Sequence, residues 1–284
     1  MAHLPAHVAP HRAELERLVA AHGDDLPLGR AVALVAAEEQ PGLDPDLPLA
    51  ALDRLAAQIG ARPAANPFVQ VAALNHYLFN EAGFSGDAED YDAPENSLLD
   101  RVLERRRGLP ILLSVVYVEL AERLGFCVDG VGFPGHFVVS PRGVDPRFFI
   151  DPFNGGRVLK EGDLRALLKK MAGSWDVEPE TWRRFIAPVT ARATLQRINN
   201  NLKRSWARRG APEAALRATE RNLVLDPESV PDACDHVALL VRLDRLQEAE
   251  SLLDRLFGRD DLGTARAWLE GVAGELRLGR STGS

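Results

Sequence analysis

The 284-residue sequence contains only two cysteines, Cys127 and Cys234, and no clustered Cys/His spacing, which excludes a disulfide framework and a structural zinc site. A reducing, cytoplasmic setting is therefore expected. A basic surplus is also missing. Lys and Arg number 34 against 41 Asp and Glu, a net charge of -7, and wholesale nucleic-acid binding normally needs the opposite balance. Long hydrophobic runs are absent as well. The most apolar stretch, Leu109 to Val118, covers ten residues, whereas a bilayer-spanning helix needs roughly 20. The segment from Met1 to Arg12 has three histidines and two prolines but no apolar run of the signal-peptide kind. What is present is 46% hydrophobic content, enough to fill a sizeable core.

From Ala13 to about Gly60 the apolar spacing is helical, interrupted at Pro41 and Gly42, and Pro67 restarts it through Val69, Val71, Leu74 and Leu78. Gly83 to Pro94 reads as an acidic loop. Ser97 and Asp100 then have capping-box spacing before a helix expected to stop at Gly108. Pro110 suits the first turn of the next helix, where its missing N–H has no intrahelical partner to lose. That helix should run to Gly125, and its apolar residues lie on most sides, so it is expected at the centre of a core.

The texture then turns to strands. Cys127 to Ser140 and Arg147 to Phe153 are rich in Val and Phe and are separated by Pro141-Arg142-Gly143 and Asp145-Pro146, which predicts an antiparallel hairpin. Placing the turn between Gly143 and Val144 sets His136 directly opposite Asp151, where an imidazole–carboxylate hydrogen bond is reasonable. Helical patterns return over Leu164–Met171 and Trp182–Ile186, and from Thr190 onward everything is helical. There, Ala215, Ala218 and Leu223 are matched 34 residues later by Ala249, Leu252 and Phe257. A helical repeat of that length has the tetratricopeptide period.

A buried helix followed by a His strand and then an Asp strand is the order seen in papain-like and transglutaminase-like thiol enzymes, whose cysteine sits at the helix N-terminus. Pro110 stands at that position here. Cys127 lies nine residues before His136 on an expected extended segment, up to roughly 30 Å away. Ser114, one turn beyond Pro110, is a remote substitute; a hydroxyl bonded back to the preceding turn is its simpler role. In order along the chain, the stations Asn96-Ser97, Arg107-Gly108-Leu109-Pro110-Ile111, Gly132-Phe133-Pro134-Gly135-His136-Phe137 and Ile150-Asp151-Pro152-Phe153, together with Asn201-Leu202-Lys203 and Leu225-Asp226-Pro227, resemble the bacterial SirB-one family. The resemblance implies an α+β fold: a papain/transglutaminase-like core of buried central helix and antiparallel sheet, with N-terminal helices and a C-terminal helical repeat pair. It implies three regions, a lead-in over 1–65, the core over 66–187 and the repeats over 188–284. It also implies that the His and Asp positions are kept and that proline at the cysteine position is usual.

Two functions compete. In the first, the chain is a non-catalytic binding module. Its repeats dock a protein or peptide, and the cleft at His136 and Asp151 adds Asn96, Arg106, Arg107, Pro110, Ile111 and Gly135 as binding residues. The N–H groups of Ile111 and Leu112 at the helix start attract an anion in this reading. In the second, His136 and Asp151 serve a hydrolase or acyl-transfer enzyme, with Ser114, water or a substrate group replacing the thiol. Neither calls for a cofactor or metal, since one His and one Asp fall short of a zinc site. Both readings leave the cysteines idle. Replacing Cys127 and Cys234 together by serine should change unfolding free energy by less than about 1 kcal/mol and leave binding intact. Chemical denaturation and partner binding measure this, and labelling of Cys127 by an active-site-directed thiol reagent contradicts it.

Overall fold

The computed structural model describes residues 5–60, 66–145, 147–172 and 177–282. Its contacts divide the chain into two compact units, His7–Ile198 and a second built from Asn199 onward.

The first unit begins with α1 (Ala9–His22), α2 (Leu28–Glu39), α3 (Asp46–Ile59) and α4 (Pro67–Asn75), the last capped by the Asn66 side chain and extended by a π turn over His76–Glu81. Helix α2 is buried from Ala31 to Glu38. Its one buried charge, Glu38, accepts two hydrogen bonds from Arg12 of α1 at 2.9 and 2.8 Å, the fork geometry that makes a buried pair tolerable.

Two short strands follow, β1 (Ser85–Gly86) and β2 (Arg107–Gly108), paired in parallel on either side of α5 (Leu99–Arg105). This departs from the capping-box expectation. Leu98 occupies the N-cap of α5, while Ser97 ends a preceding 3-10 turn with its buried hydroxyl unpartnered among the described residues. The helix also stops three residues before Gly108. Arg106 takes the left-handed conformation at φ 58°, with its guanidinium over the Phe84 ring and bonded to the Ala82 carbonyl. Gly108 is needed for close approach instead: a Cβ there would lie 2.8 Å from the Val102 side chain.

Helix α6 (Pro110–Arg123) has Pro110 in its first turn and every residue from Pro110 to Tyr117 buried. It packs on α3, on the sheet and on the Pro152–Asn154 turn. The sheet is a four-stranded antiparallel meander of β3 (Val128–Val131), β4 (Val138–Pro141), β5 (Phe149–Asp151) and β6 (Arg157–Leu159). The hairpin expected from sequence is its middle. The Cys127–Ser140 run breaks at Gly132–Phe137 because Pro134 has no N–H to pair and Gly135 adopts φ +63°. Val139 pairs with Ile150, two residues from the expected register, so Val138 and not His136 belongs opposite Asp151. A shift of two preserves the face, since side chains alternate with period 2.

Helices α7 (Glu161–Ala172) and α8 (Pro179–Phe185) close the sheet, with Phe133, Val138, Phe149, Leu164 and Trp182 sharing one buried cluster. Helix α9 (Ala191–Arg208) supplies residues to both units. The second unit adds α10 (Pro212–Leu225), α11 (Val230–Arg242), α12 (Leu246–Phe257) and α13 (Ala265–Thr282) around Leu216, Val237, Leu240, Ala249, Leu253 and Leu269. The positions related by 34 residues fall in α10 and α12, with Ala215, Ala218, Ala249 and Leu252 buried. No helix among the described residues is long and apolar enough to cross a membrane.

Because α6 is buried on most sides, truncating Leu112, which is fully buried, to alanine should cost about 2–5 kcal/mol, the range for a large core cavity. Urea unfolding of Leu112→Ala measures this, and a loss below about 1 kcal/mol would remove α6 from the centre of the fold.

Candidate functional site

Asp151 ends β5 and immediately caps the 3-10 turn Pro152–Asn154. One oxygen, Oδ1, accepts the backbone N–H groups of Phe153 and Asn154 at 3.1 and 3.2 Å. The other, Oδ2, accepts the Asn154 side-chain amide at 2.7 Å and meets His136 Nε2 at 2.9 Å. The carboxylate is thus fixed from four directions. His136 reaches it from the turn before β4, and the two side chains are only 10% and 5% exposed. With Nε2–H donating to the carboxylate, Nδ1 is the ring nitrogen that remains to accept or pass a proton.

Neighbouring groups set the histidine's position. Arg197 donates to the carbonyls of His136 and Phe133 at 3.0 and 3.4 Å while lying over the Phe137 ring. Phe153 stands edge-on to the imidazole at 6.2 Å, and Tyr91 stands edge-on to Phe153 in turn. Gly135 adopts φ +63°, a conformation that L side chains rarely take, and the Met171 methyl lies where its Cβ would stand. Arg197, Asn154 and Tyr91 were not singled out from sequence, and Phe153 entered only as the end of the Ile150–Phe153 station. Asn154 carried a legible signal, because Asp-Pro-x-Asn is the pattern of a side-chain-capped turn.

The remaining candidates divide. Asn96 is buried and structural: its carbonyl accepts the Leu109 N–H, its amide bonds the Asp90 carbonyl and its Oδ1 takes a bond from Arg105. Arg105, in turn, pairs with the buried Asp87 at 2.9 Å. Arg106 faces Phe84, and Arg107 lies at the surface 3.4 Å from Glu89. Pro110, Ile111 and Leu112 are buried at the helix start. Ser114 is buried too, but its hydroxyl makes no bond to the preceding turn, and the cavity it lines includes neither His136 nor Asp151. Cys127 precedes β3, beside Arg142 and so at the opposite end of the β3–β4 pair from His136. No group of three or more His, Cys, Asp or Glu among the described residues is arranged to hold a metal.

Burial by itself raises the Asp151 pKa, but the hydrogen bond and charge of His136 and the bonds from Asn154 outweigh it and hold the carboxyl below its ordinary value. A lowered folded-state pKa stabilises the fold above the unfolded value near 3.9, and this contribution is lost as pH falls through the folded value. Wild type should therefore exceed Asp151→Asn in stability at pH 5, with the gap narrowing below about pH 4. Urea unfolding across that range tests it. A gap independent of pH would mean that the charge of Asp151 contributes nothing.

Comparison with known proteins matches residues 48–200 to the transglutaminase-like superfamily. A UPF0162 protein of Xylella fastidiosa is 35% identical over 212 residues, covering 74% of this chain and 75% of the relative. A UPF0162 protein of Pseudomonas aeruginosa is 32% identical over 246 residues, 85% of this chain and 88% of the relative. Mouse F-box only protein 21 is 26% identical over 179 residues, 60% of this chain and 27% of that protein. No solved structure matches the chain. The superfamily match covers the central helix, the sheet and both members of the His136–Asp151 pair, and on that match and the similarity to the UPF0162 relatives, the chain belongs to the transglutaminase-like superfamily.

Proposed function

We propose that this protein is a transglutaminase-like domain that works without a thiol, as a binding scaffold or regulator of the SirB-one type. The observation that carries the reading is Pro110. The residue opening the buried helix has no nucleophile and is itself buried, while both cysteines stand free elsewhere. Proline at the first helical position supports the helix without demanding a hydrogen bond, so the site gains rigidity where a thiol enzyme has reactivity. The successive helices α9 to α12 support a tetratricopeptide assignment for the C-terminal region, and surfaces of that kind bind protein segments. The unpaired cysteines fit a reducing, cytoplasmic setting.

A second reading keeps catalysis, and the saturated carboxylate of Asp151 favours it. A histidine oriented by such a group can act as a general base toward water or a substrate hydroxyl. Ser114 has no part in this version, because it lines a separate cavity.

The two readings separate in one comparison of wild type with His136→Ala. Each is incubated with ester, amide and peptide substrates, and each is used at full length to capture a partner identified by mass spectrometry. Scaffolding gives equal, background turnover in both proteins and a partner retained by wild type. Turnover in wild type that falls by about 100-fold or more in His136→Ala, the scale of lost general-base catalysis, overturns it.

A further inference from the structure

The two arginines ahead of Gly108 part company in the fold. Arg107 pairs with Glu89 at the surface, whereas Arg106 lines a cavity of about 170 Å³ between α3 and the end of α5, together with Ala51, Arg54, Leu55, Gln58 and Leu103. That volume equals about five waters at roughly 30 Å³ each, so its occupant is small. No carboxylate lines it. Those nearest along the chain are committed elsewhere: Asp53 to Arg123 at 2.7 Å, Glu104 to Arg101 at 2.9 Å and Glu81 to His76 at 3.1 Å. Arg54 is exposed with no hydrogen-bond or ion-pair partner among the described residues, and Arg106 donates to the Ala82 carbonyl but meets no carboxylate there. Two cations thus face one small cavity without a counter-charge, in a chain that has acidic residues in excess.

The second observation is the backbone. Arg106 and Asp244 are the only non-glycine residues with positive φ among the described residues. Glycine ordinarily fills a left-handed position after a helix, because it has no Cβ to clash. Arginine at φ 58° therefore contributes its side chain, which the Phe84 ring at 4.9 Å and the Ala82 carbonyl at 3.2 Å hold in place. Arg54 and Gln58 are one turn apart on α3 and share a face. The Tyr77 hydroxyl donates to Gln58 Oε1 at 2.5 Å, which leaves the Gln58 amide nitrogen and its two N–H donors for the cavity.

We propose that this cavity binds a small phosphate monoester, its phosphoryl oxygens on the Arg54 and Arg106 guanidiniums and the Gln58 amide, and its short carbon chain against Ala51, Leu55 and Leu103. The donors select phosphate. A carboxylate has two oxygens and is saturated by one guanidinium fork, whereas a phosphate monoester offers three oxygens and close to two charges. The remaining lining is apolar, with Leu55 and Leu103 only 6% and 7% exposed, so the ester carbons have a surface to lie on. Neither His136 nor Asp151 lines the cavity, and binding there is independent of whether that pair is catalytic.

The full-length protein is titrated in phosphate-free buffer with n-propyl phosphate, inorganic phosphate and butanoate, followed by calorimetry and by NMR of the Gln58 amide and the arginine Nε–H groups. Propyl phosphate should bind saturably and shift those signals. Inorganic phosphate, without the carbon chain, should bind about three- to tenfold more weakly, and butanoate about tenfold or more weakly, the scale of one charge-assisted bond. Arg54→Gln and Arg106→Gly should each weaken propyl phosphate about tenfold or more. Both variants should stay folded, because Arg54 is exposed and glycine suits the left-handed position, and urea unfolding checks this. Arg107→Gln removes the same charge outside the cavity and should leave the affinity within about twofold. The assignment is overturned if no probe saturates, if butanoate or inorganic phosphate binds as tightly as propyl phosphate, or if Arg107→Gln weakens binding as much as Arg54→Gln, which would mean diffuse attraction to surface charge.

Discussion

Burying the N-terminal half of α6 obliges the protein to satisfy a helix start where water cannot reach it. Pro110 removes one of the donors, and the Leu109 carbonyl accepts the Leu113 N–H to begin the ladder. The Leu109 N–H is returned to the Asn96 carbonyl, Asn96 is held by Asp90 and Arg105, and Arg105 is neutralised by Asp87. The approach to the helix is thus a continuous series of bonds that leaves little freedom in the direction of α6. Two glycines complete it by letting side chains lie on backbone: Gly86 under the Phe153 ring and Gly108 under Val102.

With α6 fixed, the site is assembled by what packs on it. The Pro152–Asn154 turn and β4 both rest on this helix, so the carboxylate of Asp151 and the imidazole of His136 are brought together by a shared support more than by strand pairing. The register makes the point. His136 lies outside β4, two residues from the position opposite Asp151, and reaches its partner because residues two apart share a face and diagonal neighbours remain within reach of a long side chain. Arg197, bonding the His136 carbonyl, holds the turn that a longer strand would otherwise have held.

The second unit resolves a different problem, that of polar groups inside a helical stack. Arg221 and Asn222 of α10 are buried, and their side chains bond Asn199 and Asn200 of α9, while Asn222 and Lys203 both meet Asp232 of α11. Each of these bonds is satisfied only when the three helices adopt one mutual register, which apolar contacts alone specify less sharply.

Residue type alone was enough to indicate the helical start at Pro110 and the burial of α6, because proline geometry and apolar patterning are local properties of the chain, whereas the α+β class came with the family resemblance. The extents of the strands were less legible. A Val- and Phe-rich stretch reads as continuous until Pro134 and Gly135 turn it, and three-residue strands such as Phe149–Asp151 carry too little pattern to set a register. Ser97, Gly108 and Ser114 were assigned local roles, a cap, a helix stop and a bond to the preceding turn, whereas the fold gives them neighbours distant in sequence or none. The sequence by itself determined which groups were available for chemistry. Only the tertiary structure decided that Asn154 and Arg197 hold the pair, that Pro110 is sealed, and that Ser114 faces a separate cavity, because each depends on contacts between segments far apart in the chain.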